Sequence, residues 1–274
     1  MLSVNTNTGA MVALQYLGMT QAQLATAQSA VNSGLKVASA KDDGATYAIA
    51  QNMRGQVAGY QAVSDSLNRG MSAVDVAMSA GQSISDLLVQ MKQKALAAAD
   101  ASLDTASRQA MNNDFTALRD QITTIVKNAV FNGFNLVDGS TTQITALASA
   151  DGSRKITVGA QNLKLSGSIV TVKSTGVIST ATKASTMVAT IQASLTNVNA
   201  SLAKLSAGSK KYSIQLDFSQ KLSDTLTSGI GNLVDANMAM ESALLTSLQT
   251  KQQLGVQALA IANQAPQIIL SLFR

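Results

Sequence analysis

Apolar and small residues recur along most of this chain at alternating steps of three and four. The longest series runs Tyr60, Val63, Leu67, Gly70, Val74, Ala77, Gly81, Ile84, Leu88, Met91 and Ala95 without a slip. A 3.5-residue repeat keeps one seam of a helix facing a partner and favours left-handed coiling. Shorter series follow at Met111, Phe115, Leu118, Ile122, Ile125 and Ala129, and at Val188, Ile191, Leu195, Val198, Leu202 and Leu205. A fourth reads Leu226, Ile230, Leu233, Asn237, Met240 and Leu244. The pattern predicts a mainly α protein whose bundle core holds Tyr60, Val63, Leu67, Val74, Ile84, Leu88, Met91, Phe115, Leu118, Ile122, Ile191, Leu195 and Leu202. Glycine costs about 1 kcal/mol of helix propensity relative to alanine, so Gly70 and Gly81 imply close approach of a neighbouring helix. An ordinary globular bundle would show the same stripes. Length argues for an elongated, coiled-coil-like bundle, because residues 45–100 read as nearly continuous helix, roughly 80 Å at the standard rise.

The helical pattern pauses in the middle. Phe131-Asn132-Gly133 ends one helix on a turn signal. From about 140 to 180 the residues switch to β-branched alternation at Gln143–Leu147, Lys155–Val158 and Ile169–Val172, with Asp151-Gly152 as a hairpin turn. Helix resumes near Ser185. The expected order is three helices, a small β-hairpin insert and two helices, with the N- and C-terminal helices paired side by side. Asp42-Asp43 precedes the long helix and reads as an N-cap rather than a metal site, since carboxylates satisfy free N–H groups there.

Composition sharpens the picture through what is missing. The 274 residues include no Cys, His or Trp, and 46% of them are hydrophobic. Thiol nucleophiles, disulfides, imidazole or thiolate metal ligands and serine–histidine–aspartate triads are thereby excluded. No convincingly placed carboxylate pair remains, so neither an enzyme nor a cofactor site is expected. The net charge of +5 is carried by scattered basic residues among few aromatics, which argues against a nucleic-acid platform.

All but three of the 35 charged side chains lie between residues 41 and 241. The exceptions are Lys36, Lys251 and Arg274. Polar residues interrupt each terminal apolar run before a membrane span is reached, and the start lacks the layout of a secretory signal. Two amphipathic terminal helices remain, needing a protein surface to bury against. The candidate subunit-assembly residues are Met11, Leu14, Leu17 and Leu24 at one end. At the other they are Leu254, Val256, Leu259, Ile261, Ile268, Ile269, Leu270, Leu272 and Phe273.

Particular motifs then carry a resemblance. Val4-Asn5-Thr6-Asn7 through Leu14, followed by Val31-Asn32-Ser33-Gly34-Leu35 and Lys41-Asp42-Asp43, resembles the amino-terminal signature of bacterial flagellin. Arg119-Asp120-Gln121-Ile122 with Phe131-Asn132-Gly133 and Leu136 is similar to its second block. The tail is the most specific match: Glu241-Ser242-Ala243-Leu244-Leu245, Gln252-Gln253-Leu254-Gly255-Val256, and Ala262-Asn263-Gln264-Ala265-Pro266 through Phe273-Arg274. The resemblance covers most of 1–139 and 185–274 and is to a short, alphaproteobacterial-type flagellin without large outer domains. It implies an inner-tube domain from 1–44 and 237–274, an outer-tube bundle from 45–139 and 185–236, and a hairpin insert at 140–184.

The same resemblance implies a subunit that polymerises into the flagellar filament for swimming, exported through the flagellar type III apparatus to the outside of the cell. The implied partners are further copies of the chain, an export chaperone, a cap protein and hook-junction proteins, with neither nucleic acid nor membrane insertion. Where receptor-activating flagellins carry Arg, Glu and Leu, this chain aligns Gln90, Gln93 and Lys94, so weak or no activation of the vertebrate innate receptor is expected. Ser and Thr form about a third of 140–186, read either as a polar surface or as sites of O-linked sugar. Another axial protein of the hook–filament junction type, or a secreted coiled-coil translocator or adhesin, stands as the alternative.

Overall fold

The computed structural model describes residues 6–272, with side chains through residue 264. Among these lie five helices and two small antiparallel hairpins. Helix α1 (Thr8–Ser33) starts where the Asn7 side chain accepts the Ala10 amide at 3.0 Å. It stops at Gly34, whose φ of 72° lets its amide close on the Ala30 carbonyl at 2.9 Å. Helix α2 (Gly44–Ala98) is N-capped by Asp43, which accepts the amides of Ala45 and Thr46 at 3.0 and 3.1 Å. Asp42 closes the preceding loop on the amides of Ala38 and Ser39. Both carboxylates are thus committed to local capping.

Helix α3 (Thr105–Asn128) is capped by Asp104. The Arg108 guanidinium reaches back to the carbonyls of Ala98, Asp100 and Leu103, satisfying acceptors at the end of α2. Strands β1 (Val130–Phe131) and β2 (Phe134–Asn135) form a hairpin around Asn132 and Gly133. Their φ values of 48° and 81° suit the two-residue turn that matches strand twist. The Asn-Gly pair therefore builds a second hairpin rather than only ending a helix. Strands β3 (Gln143–Leu147) and β4 (Lys155–Gly159) pair in register from Gln143↔Gly159 to Leu147↔Lys155. Helices α4 (Ala181–Val234) and α5 (Met238–Leu272) complete the chain.

The chain divides into two compact units, residues 56–224 and residues 1–55 with 225–274. Helix breaks fall at 34–43 and 235–237, and the units part within α2 and α4.

In the 56–224 unit, every member of the α2 series from Val63 to Ala95 is buried, and Tyr60 is half-buried. Phe115, Ile122, Ile191 and Leu195 are buried with them, while Leu118 and Leu202 are half-buried. The two glycines face close neighbours in that seam. A Cβ on Gly70 would lie 3.0 Å from the Tyr212 ring, and one on Gly81 would lie 2.8 Å from Leu202 Cδ2. Tyr212 is fully buried, and its hydroxyl lies 3.0 and 3.4 Å from the carbonyls of Ile144 and Ile156, one on each strand of the β3–β4 hairpin. Burial pushes this phenol's pKa up. Gln215 and Ser66 bond the hairpin at Ala148 and Leu147. Along both strands the inward side chains are Ile144, Ala146, Ile156 and Val158, as a half-buried period-two surface requires.

Two expectations need correction. Ile169–Val172 is not a strand; it makes a single bridge, Leu165↔Val170. Val170 and Val172 are buried, but the Thr171 amide bonds to Ser194 Oγ on α4 at 3.0 Å. A helix side chain takes the role of a neighbouring strand. The Leu226–Leu244 series also does not form one stripe. Asn237 caps α5 by accepting the Met240 amide at 3.2 Å, and the break leaves Met240 and Leu244 exposed.

Candidate assembly surface on the terminal helices

Helices α1 and α5 lie antiparallel. Leu17 faces Gly255, Gly34 accepts the Ala236 amide, and Asn7 Nδ2 donates to the Ala262 carbonyl at 2.7 Å across 255 residues of sequence. The connecting turns are clipped together at one end. The Lys36 amide bonds Val234 at 2.8 Å, Lys36 Nζ bonds Asn232 at 3.1 Å, and Leu35 bridges Asp235. Beneath them Val37, Ala50 and Val234 form a small second core, with Tyr47 and Ile230 against it.

The seam between the helices is narrow. On α1 its buried and half-buried positions are Asn7, Ala10, Ala13, Leu17, Thr20, Leu24 and Ala27; on α5 they are Glu241, Leu245, Leu248, Gln252, Gly255, Leu259 and Ala262. Both series step by three and four, so each helix spends one heptad face on the other. Alanine, glycine and leucine share most of the line, so the seam buries leucines between points of close backbone approach.

Large apolar side chains remain outside that seam. Met11, Leu14, Tyr16, Met240 and Ile261 are each 60% or more exposed. Val12, Met19, Met238, Leu244, Leu254 and Val256 are exposed as well. Helix α1 contains no charged residue, and α5 carries only Glu241 and Lys251 through residue 264. Exposed apolar side chains in this number, with almost no ion among them to hold water, make this a candidate interaction surface. It can associate without stripping solvent from charges.

The sequence-predicted assembly residues divide on this surface. Met11, Leu14, Leu254, Val256 and Ile261 point outward, whereas Leu17, Leu24 and Leu259 serve the pairing within the chain. Ile268, Ile269, Leu270, Leu272 and Phe273 lie outside the residues whose side chains are described. Val12, Tyr16, Met19, Met238, Met240 and Leu244 belong to the outward set and were missed by motif reading. The freedom from charge of their segments was the available signal.

The model of the bacterial flagellin N-terminal helical region matches residues 4–142, and that of the C-terminal helical region matches residues 188–273. The chain belongs to the bacterial flagellin family. It is 53% identical to flagellin FljK of Caulobacter vibrioides over 272 residues, spanning 99% of this chain and 98% of that one. It is 34% identical to the flagellin of Brucella melitensis across the full length of both. These are alphaproteobacterial flagellins. The two matched regions of this flagellin contain α1, α2, α3 and the β1–β2 hairpin on one side and most of α4 and α5 on the other. Between them lie β3–β4 and the loop to α4. No metal-ligand cluster occurs among the described residues, and no helix there is long and apolar enough to cross a membrane.

Proposed function

We propose that this flagellin is the structural subunit that polymerises with its own copies into the flagellar filament and so serves swimming motility. The observation that carries the reading is the α1–α5 pair, joined along one narrow seam and bearing large exposed apolar side chains on nearly uncharged helices. Full burial of a Leu, Ile or Met side chain contributes about 1.5–3 kcal/mol. Half-exposed groups therefore retain about 1 kcal/mol each for association, and eleven such groups can exceed the entropy of fixing a subunit. When the contact joins different patches on successive copies and does not close, it grows an open helical fibre.

Membership of the family supports a finer reading. The subunit is exported through the flagellar type III apparatus and works outside the cell as part of the filament. Its partners in transit are a chaperone on the carboxy-terminal segment, a cap protein at the growing end and hook-junction proteins. In the receptor-facing stretch, Gln90 and Gln93 are exposed and Lys94 pairs with Asp114 at 2.7 Å. That set supports weak or no activation of the vertebrate receptor; strong signalling by purified monomer in reporter cells would overturn it.

Removing residues 255–274 deletes the outward Val256 and Ile261 and the seam residues Leu259 and Ala262. The truncated chain is expected to stay largely helical by circular dichroism and to form no filaments in negative-stain microscopy. Filaments of normal length from it would refute the assignment of this surface.

A further inference from the structure

The methionines of this flagellin are segregated by exposure. In the 56–224 unit, Met71, Met78, Met91, Met111 and Met187 are buried or half-buried; in the other unit, Met53 is half-buried near Gly229. Among the described residues the exposed methionines are Met11, Met19, Met238 and Met240, at 64%, 53%, 43% and 65%. All four lie on α1 or α5, outside the pairing seam, and they make up a large part of the apolar surface available for assembly. A thioether suits a contact that must adapt its packing. It is also the apolar side chain that a mild oxidant converts most readily to a polar one.

We propose that Met11, Met19, Met238 and Met240 form an oxidation site that switches the subunit between a polymerising thioether form and a blocked sulfoxide form. The inference rests on the filament reading of the same surface. The oxidant class is a peroxide. The sulfur lone pair attacks one peroxide oxygen, an S–O bond forms as the O–O bond breaks, and the thioether loses two electrons. The peroxide is reduced to water. Each event places a strongly dipolar S=O where the neighbouring copy presents apolar side chains, and burying it without a donor opposes association. Completed contacts cover the sulfurs, so the oxidation acts on the free subunit. Methionine sulfoxide reductases reverse it by reducing the sulfoxide to the thioether.

The test treats purified full-length monomer with hydrogen peroxide, maps sulfoxides by peptide mass spectrometry and measures the critical concentration for filament growth. Met11, Met19, Met238 and Met240 are expected to oxidise before the methionines of the 56–224 unit. The critical concentration should rise about tenfold or more for each oxidised side chain that the contact buries, and treatment with both stereospecific reductases should lower it again. The variant M11L/M19L/M238L/M240L, compared with its own untreated sample, should lose its peroxide response. Equal or faster oxidation in the 56–224 unit, an unchanged critical concentration after oxidation, or a peroxide block that persists in the variant would each overturn the proposal. Untreated protein that forms no filaments would instead overturn the filament reading, and the switch with it.

Discussion

Replacing Gly208 by alanine isolates the contact that seats the β3–β4 hairpin on α4. A Cβ there would lie 2.5 Å from Val158 Cγ1, 2.9 Å from Cγ2 and 3.3 Å from Cβ. Unstrained carbon contacts need about 3.5–4.0 Å, so a displacement of roughly 1 Å is forced. Turning Val158 about χ1 only exchanges one crowded methyl for another, and its strand is tied to β3 and to the Tyr212 hydroxyl. Overpacking costs about 1–3 kcal/mol, and contacts this short against a tied strand put the cost in the upper half of that range, about 2–3 kcal/mol, against a gain of about 1 kcal/mol in helix propensity. The net expectation for G208A is a loss of about 1–2 kcal/mol. V158A alone should lose about 1.6 kcal/mol from two buried methyl groups. In the double variant most of the clash disappears, so its loss should fall short of the sum by about 1 kcal/mol or more.

Gly81→Ala provides the contrast. Its Cβ would meet chiefly the terminal Cδ2 of half-buried Leu202, with Cγ already at 3.4 Å. That methyl can swing away, and the variant should fall within about 0.5 kcal/mol of the parent or above it. Urea unfolding of the monomer followed by far-ultraviolet circular dichroism reads all four variants. In thermal melts each kcal/mol corresponds to about 2–4 °C for a unit of this size. G208A as stable as the parent, or strict additivity with V158A, would refute the argument.

Two further outcomes follow from local hydrogen bonding. The hydroxyls of Ser149 and Ser153 and the Ser153 amide hold the Asp151 carboxyl down at about 2, against 3.8 in the unconstrained group. Because the folded value is the lower one, this turn's support is fully present above about 3.8 and fades as pH falls through about 2. A carboxyl titration by nuclear magnetic resonance should show that midpoint, and one at 3.8 or higher would contradict the hydrogen-bond account. Asn7→Ala removes both the α1 cap and the bond to Ala262, and should cost about 1 kcal/mol locally. Amide exchange in the first turn of α1 should quicken by about fivefold, with the 56–224 unit unchanged.

The α2 seam was legible residue by residue because its outward positions are polar, so period and burial coincide. The β3–β4 hairpin was legible for the same reason at period two. Ile169–Val172 misled because burial and β-branching describe a strand and an irregular buried segment equally. Its backbone was satisfied by Ser194 and its neighbouring segment by Asn112, which accepts the Ile178 amide at 2.7 Å. Those partners lie 23 and 66 residues away, beyond any local pattern.

By itself the sequence determined that this chain is helical, that its long helices share a heptad seam, and that its extremities are nearly free of charge. These are local properties, set by spacing and side-chain type. The tertiary structure decided which leucines of α1 and α5 are buried inside the subunit and which stay exposed on its surface. Leu14 and Leu17 differ by less than one helical turn and not at all in chemistry. Only the position of α5, held by Asn7 at one end and the Lys36–Val234 clip at the other, assigns one to the surface and the other to the seam.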